Sequence, residues 1–379
     1  MTAVTLYFII PLLLFILSVT VYNACTAPLI KNGPSPSSVP LVSALVPARN
    51  EGKTIRRCLE DLSAQDYPNL EIRVLDDGSQ DDTAAIVRRM AEKDSRLQLR
   101  VGAPLPQGWT GKNWACHQLS CDARGEIFLF TDADNFYHPC AISHTVGWMQ
   151  KLHLSLVSAF PQQITRTLAE KMIVPVFDMF VYSYLPLWLT YRAPQPSLAA
   201  ANGQWIAVTK EAYQKLGGHA SVRHHIVEDV QLSRLAKKIG LKILTASGTD
   251  EVKGHMYHSW NEVWRGFSKN AFGLVAHKTI PFMALLTVMS AVYIMPYIFV
   301  WFETAWVPSL TAIAINVLIR AILALKYKQP FWVSILLHPF SILMTILIGL
   351  NSYRCFKNGK TVWKGREVYY ELKDSVNKT

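Results

Sequence analysis

Apolar and charged positions along the chain sort into blocks. Residues 1–30 hold no Asp, Glu, Lys or Arg, the first charge being Lys31, and charge-free runs recur between Lys278 and Glu303 and between Lys328 and Arg354. Each is long enough to cross about 30 Å of hydrocarbon. A shorter run over 304–319 continues past Arg320 to Leu325, and it crosses as well provided Arg320 snorkels or finds a polar partner. The intervening stretch, 31–278, has a different rhythm. Its opening residues, Lys31-Asn-Gly-Pro-Ser-Pro-Ser-Ser-Val-Pro40, are too rich in proline for a helix or a central strand and read as a linker. Leu41-Val-Ser-Ala-Leu-Val46 then suits a strand buried on both faces, ending in Pro47-Ala-Arg-Asn-Glu-Gly52 ahead of a helical stretch through Ser63. Leu70-Glu-Ile-Arg-Val-Leu75 repeats the pattern, followed by Asp76-Asp-Gly-Ser79 and a helix over about 81–93. Glu126-Ile-Phe-Leu-Phe130 gives a third buried strand that stops at Thr131-Asp-Ala-Asp134. Strands alternating with helices predict βαβ units and a parallel sheet.

Composition supports a membrane protein: 50% of residues are hydrophobic, only 17% charged, and the mean hydropathy is +0.17. A net charge of +11 comes without zinc-finger spacing, RNP sequence or basic-region heptads, so no nucleic-acid partner is expected. The charge instead gathers in the tail, where Arg354, Lys357, Lys360, Lys364, Arg366, Lys373 and Lys378 face Glu367, Glu371 and Asp374, a net of +4. Beside an apolar segment this reads as positive-inside and as contact with anionic headgroups. Six scattered cysteines without a C-x-x-C pair predict no disulfide framework, which fits a cytosolic polar part at the cell's inner membrane. The first apolar segment lacks a basic leader and its core, 4–21, is longer than a usual signal core, so it is expected to be an uncleaved anchor.

The resulting plan is an anchor over 1–30, a linker over 31–40, a catalytic domain over 41–278, a membrane region over 279–353 and a basic cytosolic tail over 354–379. Within the membrane region two segments span. The third, 329–353, is broken by His338-Pro339 and is expected to re-enter, because a true span would put the tail outside. Two stretches of the catalytic domain are expected at the membrane surface. One is 258–272, where Trp260, Trp264 and Phe267 fall at i, i+4, i+7 with Arg265 and Lys269 on another face. The other is 172–190, too apolar for a solvated surface yet carrying Asp178 and two prolines; it is either a monotopic flap or a buried core helix.

Ligands of open α/β sheets bind beyond the carboxyl ends of the strands, where all three predicted strands deliver polar residues. Neither G-x-G-x-x-G nor G-x-x-x-x-G-K-[ST] occurs in the required place. Asp132 and Asp134, on a turn leaving a buried strand, can converge on one divalent ion, Mg²⁺ or Mn²⁺, bridging a diphosphate, or can serve as turn formers. Asp76 and Asp77 are similarly a site or a turn with a helix cap. Val230, Leu232, Leu235, Ala236 and Ile239 form one helical face, which places Asp229 at a helix N-terminus where the dipole favours a carboxylate ready to accept a proton, or merely caps the helix. His219, His224, His225, His255 and His258 lack metal-ligand spacing, so no zinc is expected, and His219 is not expected to act as acid or base.

In order along the chain, Pro47-Ala-Arg-Asn-Glu51, Asp76-Asp-Gly-Ser79 and Asp132-Ala-Asp134 resemble the nucleotide-sugar-binding half of a family 2 glycosyltransferase of GT-A fold. The similarity continues through Gly108-Trp-Thr-Gly-Lys-Asn-Trp114, Ala201-Asn-Gly-Gln204, Leu216-Gly-Gly-His219 and Val227-Glu-Asp-Val230, over roughly 40–270. The implied fold is α/β, a Rossmann-like, mostly parallel sheet, with transmembrane helices before and after it. By this resemblance Pro47, Arg49, Glu51, Asp76 and Asp77 line the uridine pocket, Lys112 lies near the donor, Asp132 and Asp134 hold the ribose side and the metal, and Asp229 is the general base. Asn202, Gly203, His219, Glu228, Trp264, Arg265 and Lys269 are the implied diphosphate or acceptor contacts. Processive synthases carry Q-x-x-R-W where this chain has Asn261-Glu-Val-Trp-Arg265, and the short membrane region is closer to carotenoid, hopanoid-associated and ceramide glucosyltransferases. The resemblance therefore implies inverting transfer of one glucose from UDP-glucose to a hydroxyl of a membrane lipid, a carotenoid or other polyisoprenoid. Its rivals are a processive polysaccharide synthase and a non-catalytic nucleotide-sugar-binding scaffold.

Overall fold

Continuous apolar runs with few charges make strands wherever both faces of a sheet are covered. Seven strands lie side by side in the order Leu97–Val101, Leu70–Asp76, Val42–Ala48, Ile127–Thr131, Trp205–Thr209, Leu156–Phe160 and Ile243–Ser247. The first four run parallel, Trp205–Thr209 runs antiparallel to both its neighbours, and Ile243–Ser247 is parallel to Leu156–Phe160. The computed structural model describes residues 2–275, 277–358, 362–363 and 366–367, with residues 2–5 and the last four by backbone alone. The expected basic tail therefore lies largely outside the described residues.

Alternation along the strands serves two cores. Ala44 and Val46 join Ile55, Cys58, Leu59 and Leu62 of the helix Ile55–Ser63 on one face. Leu45, Phe128 and Phe130 meet Ala115, Cys116 and Leu119 of the helix Gly111–Asp122 on the other. The second predicted helix is shorter than expected, Thr83–Ala91, because the Asp81 carboxylate accepts from the Gly52 and Thr83 amides and forms a turn before it.

The chain divides into two interleaved units. Pro28–Gln162 and Leu187–Met256 make most of the α/β unit, while Met1–Ala27, Gln163–Pro186 and Tyr257–Val368 make a helical one, so the expected 41–278 stretch contributes to both. Most of 172–190 belongs to the helix Leu168–Tyr184, which is started by a Thr167/Glu170 capping box and buries Ile173, Val176, Met179 and Tyr182. The first helix anchors its end, with Asn23 Nδ2 donating to the Tyr182 and Leu185 carbonyls at 2.8 Å each. It is a core helix of the helical unit rather than a flap. Within 258–272 the helix Trp260–Asn270 buries Val263, Gly266 and Phe267, and the Phe267 ring stacks on Phe177 at 3.8 Å between centroids. Of the expected apolar stripe, Trp260 is 43% exposed, whereas Phe267 is buried beside Val263.

Among the described residues three helical stretches are long and apolar enough to span a membrane: Leu6–Thr26, Thr279–Phe299 and Trp306–Lys326. The second breaks at Ile294, two residues before Pro296, whose missing N–H cannot reach the Val292 carbonyl. Asn316 Nδ2 donates to that carbonyl instead, at 3.1 Å. Arg320 does not snorkel. It is 1% exposed and donates to the carbonyls of Pro175 at 3.0 Å and Ser334 at 3.2 Å, within the electrostatic reach of Asp178. The 329–353 segment parts at Leu337 into Phe331–Leu336 and His338–Lys357, next to the predicted His338-Pro339 break.

Candidate active site

Parallel register carries the first two strand ends to one level, with Ala48 opposite Asp76. The loops beyond them are bound to each other. The Asp77 amide donates to the Ala48 carbonyl at 2.8 Å, and Arg49 returns a hydrogen bond from Nη1 to the Asp77 carbonyl, 4.0 Å from the Asp77 carboxylate. Asn50 takes φ 55°, which Asn tolerates better than most residues, and its Oδ1 accepts from the Gln80 amide. The Glu51 amide donates to Thr83 Oγ1, and Asp76 Oδ1 accepts from the Ser79 amide. Asp76 and Asp77 are both buried. Pro47, Arg49, Glu51, Asp76 and Asp77, separated by up to thirty positions, thereby share one end of the sheet.

A second cluster forms where the helix Gly111–Asp122 faces the strand Ile127–Thr131. Lys112 Nζ lies 2.8 Å from Asp132 Oδ1 and 3.4 Å from Glu228 Oε1. Because Trp205–Thr209 runs antiparallel, with Trp205 opposite Thr131, its entry loop Asn202-Gly203-Gln204 arrives at the carboxyl ends of the parallel strands. Thr131 Oγ1 and Asn135 Nδ2 both donate to the Gln204 carbonyl at 2.7 Å and fix that loop. The Gly203 amide donates to Asp229 Oδ2 at 2.7 Å, and Asp229 Oδ1 accepts from the Val230 amide at 2.7 Å. Asp229 occupies the first turn of the helix Glu228–Lys238, as expected.

The charge state of Asp229 differs from expectation. Burial, followed by the adjoining Glu228 carboxylate, pushes it up to about 7, against the opposing Lys112 ammonium and the two amide hydrogen bonds. The helix N-terminus alone does not keep it ionised. Burial works against the Lys112 ammonium, but Asp132 and Glu228 outweigh it and hold the group charged. His219 is buried, bonds Tyr213 Oη through Nδ1 at 2.8 Å and packs edge-on to Phe130; burial, then the Lys112 and His117 charges, takes it down to about 3. These surroundings favour the neutral imidazole. Trp264, Arg265 and Lys269 lie on the helix Trp260–Asn270 of the helical unit.

Asn113 is a positioning residue that the sequence reading did not single out. Its Nδ2 donates to the carbonyls of Val222, Arg223 and His225 at 2.8–3.1 Å, tying the turn that carries Lys112 to the approach to Glu228. An asparagine in the first turn of the helix, after a Thr N-cap, was the available signal.

Among the described residues no three His, Cys, Asp or Glu side chains converge as a ready-made metal site. Asp132 and Asp134 still supply the hard oxygen ligands a divalent ion takes, leaving most positions to phosphate oxygens and water, the usual arrangement for Mg²⁺ at a diphosphate. A Cβ on Gly203 would stand 2.9 Å from Lys112 Nζ and 3.2 Å from Glu228 Oε1. We therefore expect Gly203→Ala to lower turnover about 10–100-fold by displacing Lys112, with thermal stability nearly unchanged; matched rate and melting measurements check this.

The loops at the strand ends, the carboxylate pair after the fourth strand and the buried carboxylate at a helix start occupy the places that the resemblance to family 2 glycosyltransferases implies. Residues 43–212 match the model of "Glycosyl transferase family 2". The chain is 26% identical over 347 residues to the 4,4'-diaponeurosporenoate glycosyltransferase of Staphylococcus haemolyticus, covering 86% of this chain and 88% of that one. It is 28% identical over 237 residues to the enzyme of the same name from Staphylococcus aureus, an alignment spanning 60% of either chain. Among solved structures, the mannosyltransferase of Pyrobaculum calidifontis, in complex with GDP-Man and Mn²⁺, superposes with a TM-score of 0.55 at 20% identity, covering 92% of this chain and 99% of that one. That likeness concerns the fold.

Proposed function

We propose that the protein transfers a single sugar, glucose from UDP-glucose, to a membrane polyisoprenoid with inversion at the anomeric carbon. The observation that carries this reading is the convergence of Lys112, Asp132, Glu228 and Asp229 around the Gly203 amide at the carboxyl ends of the sheet. Pro47, Arg49, Glu51, Asp76 and Asp77 hold the uridine end of the donor, and Lys112 faces the diphosphate. Asp132 and Asp134 would hold Mg²⁺ or Mn²⁺, which when bound stabilises negative charge on the leaving diphosphate. Asp229, fixed through both carboxylate oxygens, takes the proton of an acceptor hydroxyl attacking the opposite face of the sugar. The names of the staphylococcal relatives support a polyisoprenoid acceptor. Membranes containing the protein, incubated with Mg²⁺, radiolabelled UDP-glucose and a lipid extract rich in oxygenated isoprenoids, should yield label in one discrete lipid. Absence of turnover with UDP-glucose, UDP-galactose and UDP-N-acetylglucosamine would refute the reading.

In this reading the α/β unit faces the cytoplasm, 329–353 re-enters, and the basic tail stays on the same side, consistent with the positive-inside bias. With the six native cysteines replaced by serine, a Lys378→Cys protein should react with a membrane-impermeant thiol reagent in inverted vesicles and not in intact cells. Labelling only from the outside would require a third full span.

A further inference from the structure

Among the described residues, Lys112 is the lysine that pairs with the carboxylates of this cluster, and it sits in close quarters. Its nitrogen sits between Asp132 Oδ1 and Glu228 Oε1, at 2.8 and 3.4 Å, and against Gly203, where even a methyl group would stand 2.9 Å away. The backbone that carries it is equally fixed. Thr110 caps the helix through Asn113, the Thr110 amide donates to the Arg223 carbonyl at 2.8 Å, and Asn113 spans three carbonyls of the same segment. A charged group held this way on Asp132 occupies the oxygen that a divalent ion would use. Both cannot bind that oxygen at full strength, because an ammonium and a dication a few ångströms apart repel each other while sharing one carboxylate.

We propose that Lys112 is the resident counterion of the donor site: without donor it neutralises Asp132 and keeps a divalent ion off, so that the ion enters together with a nucleoside diphosphate, onto whose oxygens Lys112 then transfers. This rests on the reading of Asp132 as a metal ligand. The diphosphate is what makes the exchange favourable, since it brings the negative charge that satisfies both cations at once. The consequence is ordered binding: diphosphate and divalent ion bind with strong mutual coupling, and the coupling resides in a lysine rather than in a moving loop. Glu228, on the other side of the ammonium, keeps Lys112 in place during the exchange and is a positioning residue in this scheme.

The test is Mn²⁺ binding to the full-length protein in lipid nanodiscs, followed by the loss of the free-ion electron paramagnetic resonance signal, with and without UDP. Wild-type protein should bind Mn²⁺ weakly alone and at least about tenfold more tightly with UDP. Lys112→Met, which keeps the length of the side chain without its charge, should bind Mn²⁺ alone about tenfold more tightly than wild type, and UDP should then add little. Lys112→Arg should keep the wild-type pattern, and Lys112→Met combined with Asp132→Asn should lose the gain. Identical titrations of wild type and Lys112→Met without nucleotide would overturn the proposal while leaving the metal reading intact, as long as wild type binds Mn²⁺ with UDP. A gain that survives Asp132→Asn would also overturn it. Failure of the wild type to bind Mn²⁺ even with UDP would instead remove the metal reading, and this inference with it.

Discussion

Asp229→Asn should reduce transfer to a hydroxyl acceptor by about 10³-fold, within the range that general-base removal usually produces, with donor affinity unchanged. The asparagine fills the same space, but its single oxygen can accept from only one of the Gly203 and Val230 amides, so a modest loss of stability should accompany the loss in kcat, and matched melting and rate measurements separate the two. The size of the effect also reports the acceptor. The relatives are named for a diaponeurosporenoate, a carboxylate, which already carries the negative charge that a base would otherwise create. With such an acceptor Asp229→Asn should cost far less, and rates with matched acid and alcohol acceptors would distinguish the two chemistries. The pH dependence follows from the raised carboxyl of Asp229. Because the base acts ionised, kcat/KM for a hydroxyl acceptor should rise with pH and level off above about 7. Stability moves the opposite way. A carboxyl raised on folding contributes stability below its ordinary range, and that contribution is lost as pH rises through the folded value. Denaturant midpoints recorded across this range should fall for wild type and stay flatter for Asp229→Asn.

Arg320→Met should be the most damaging substitution in the helical unit, at about 3–5 kcal/mol, the usual consequence of removing one member of a buried charged set. Methionine fits the volume and the apolar surroundings. It leaves Asp178 without its neighbouring cation and the Pro175 and Ser334 carbonyls without a donor. Thermal unfolding in detergent measures the loss. Adding Asp178→Asn should restore part of it, because the charge left behind is the larger penalty; equal damage in the single and double variants would assign the effect to the two carbonyls.

The legible parts of this molecule were those whose signal is local. Val42–Ala48, Leu70–Asp76 and Ile127–Thr131 announce themselves as apolar runs ending in polar turns, and the acidic residues at those ends are the ones the sheet brings to one edge. Leu97–Val101 was not legible because it is an edge strand, with Gln98 and Arg100 interrupting its apolar positions. Trp205–Thr209 and Leu156–Phe160 depend on each other across about fifty residues of chain, a pairing that no local pattern encodes. The surroundings of 172–190 were hidden for a related reason. Its composition admits either a lipid-facing or a protein-facing helix, and only partners such as Asn23 and Phe267 decide between them. For Asp229 the helix start was visible in the sequence, but the burial and the neighbouring Glu228 charge that raise its carboxyl belong to the folded chain.

The interleaving of the two units has a consequence for biogenesis. The chain passes from one unit to the other after Ala27, Gln162, Pro186 and Met256. During synthesis the α/β unit can close only once Met256 has emerged, yet by then Leu168–Tyr184 has already been made, while Arg320 and Ser334, which complete its surroundings, have not. That helix must wait on the first helix alone, through Thr20 and Asn23, until the last third of the protein is inserted. A ribosome-bound chain stopped near residue 300 would therefore carry a finished sheet and an unfinished membrane region, the stage at which insertion factors and quality-control proteases have most to recognise.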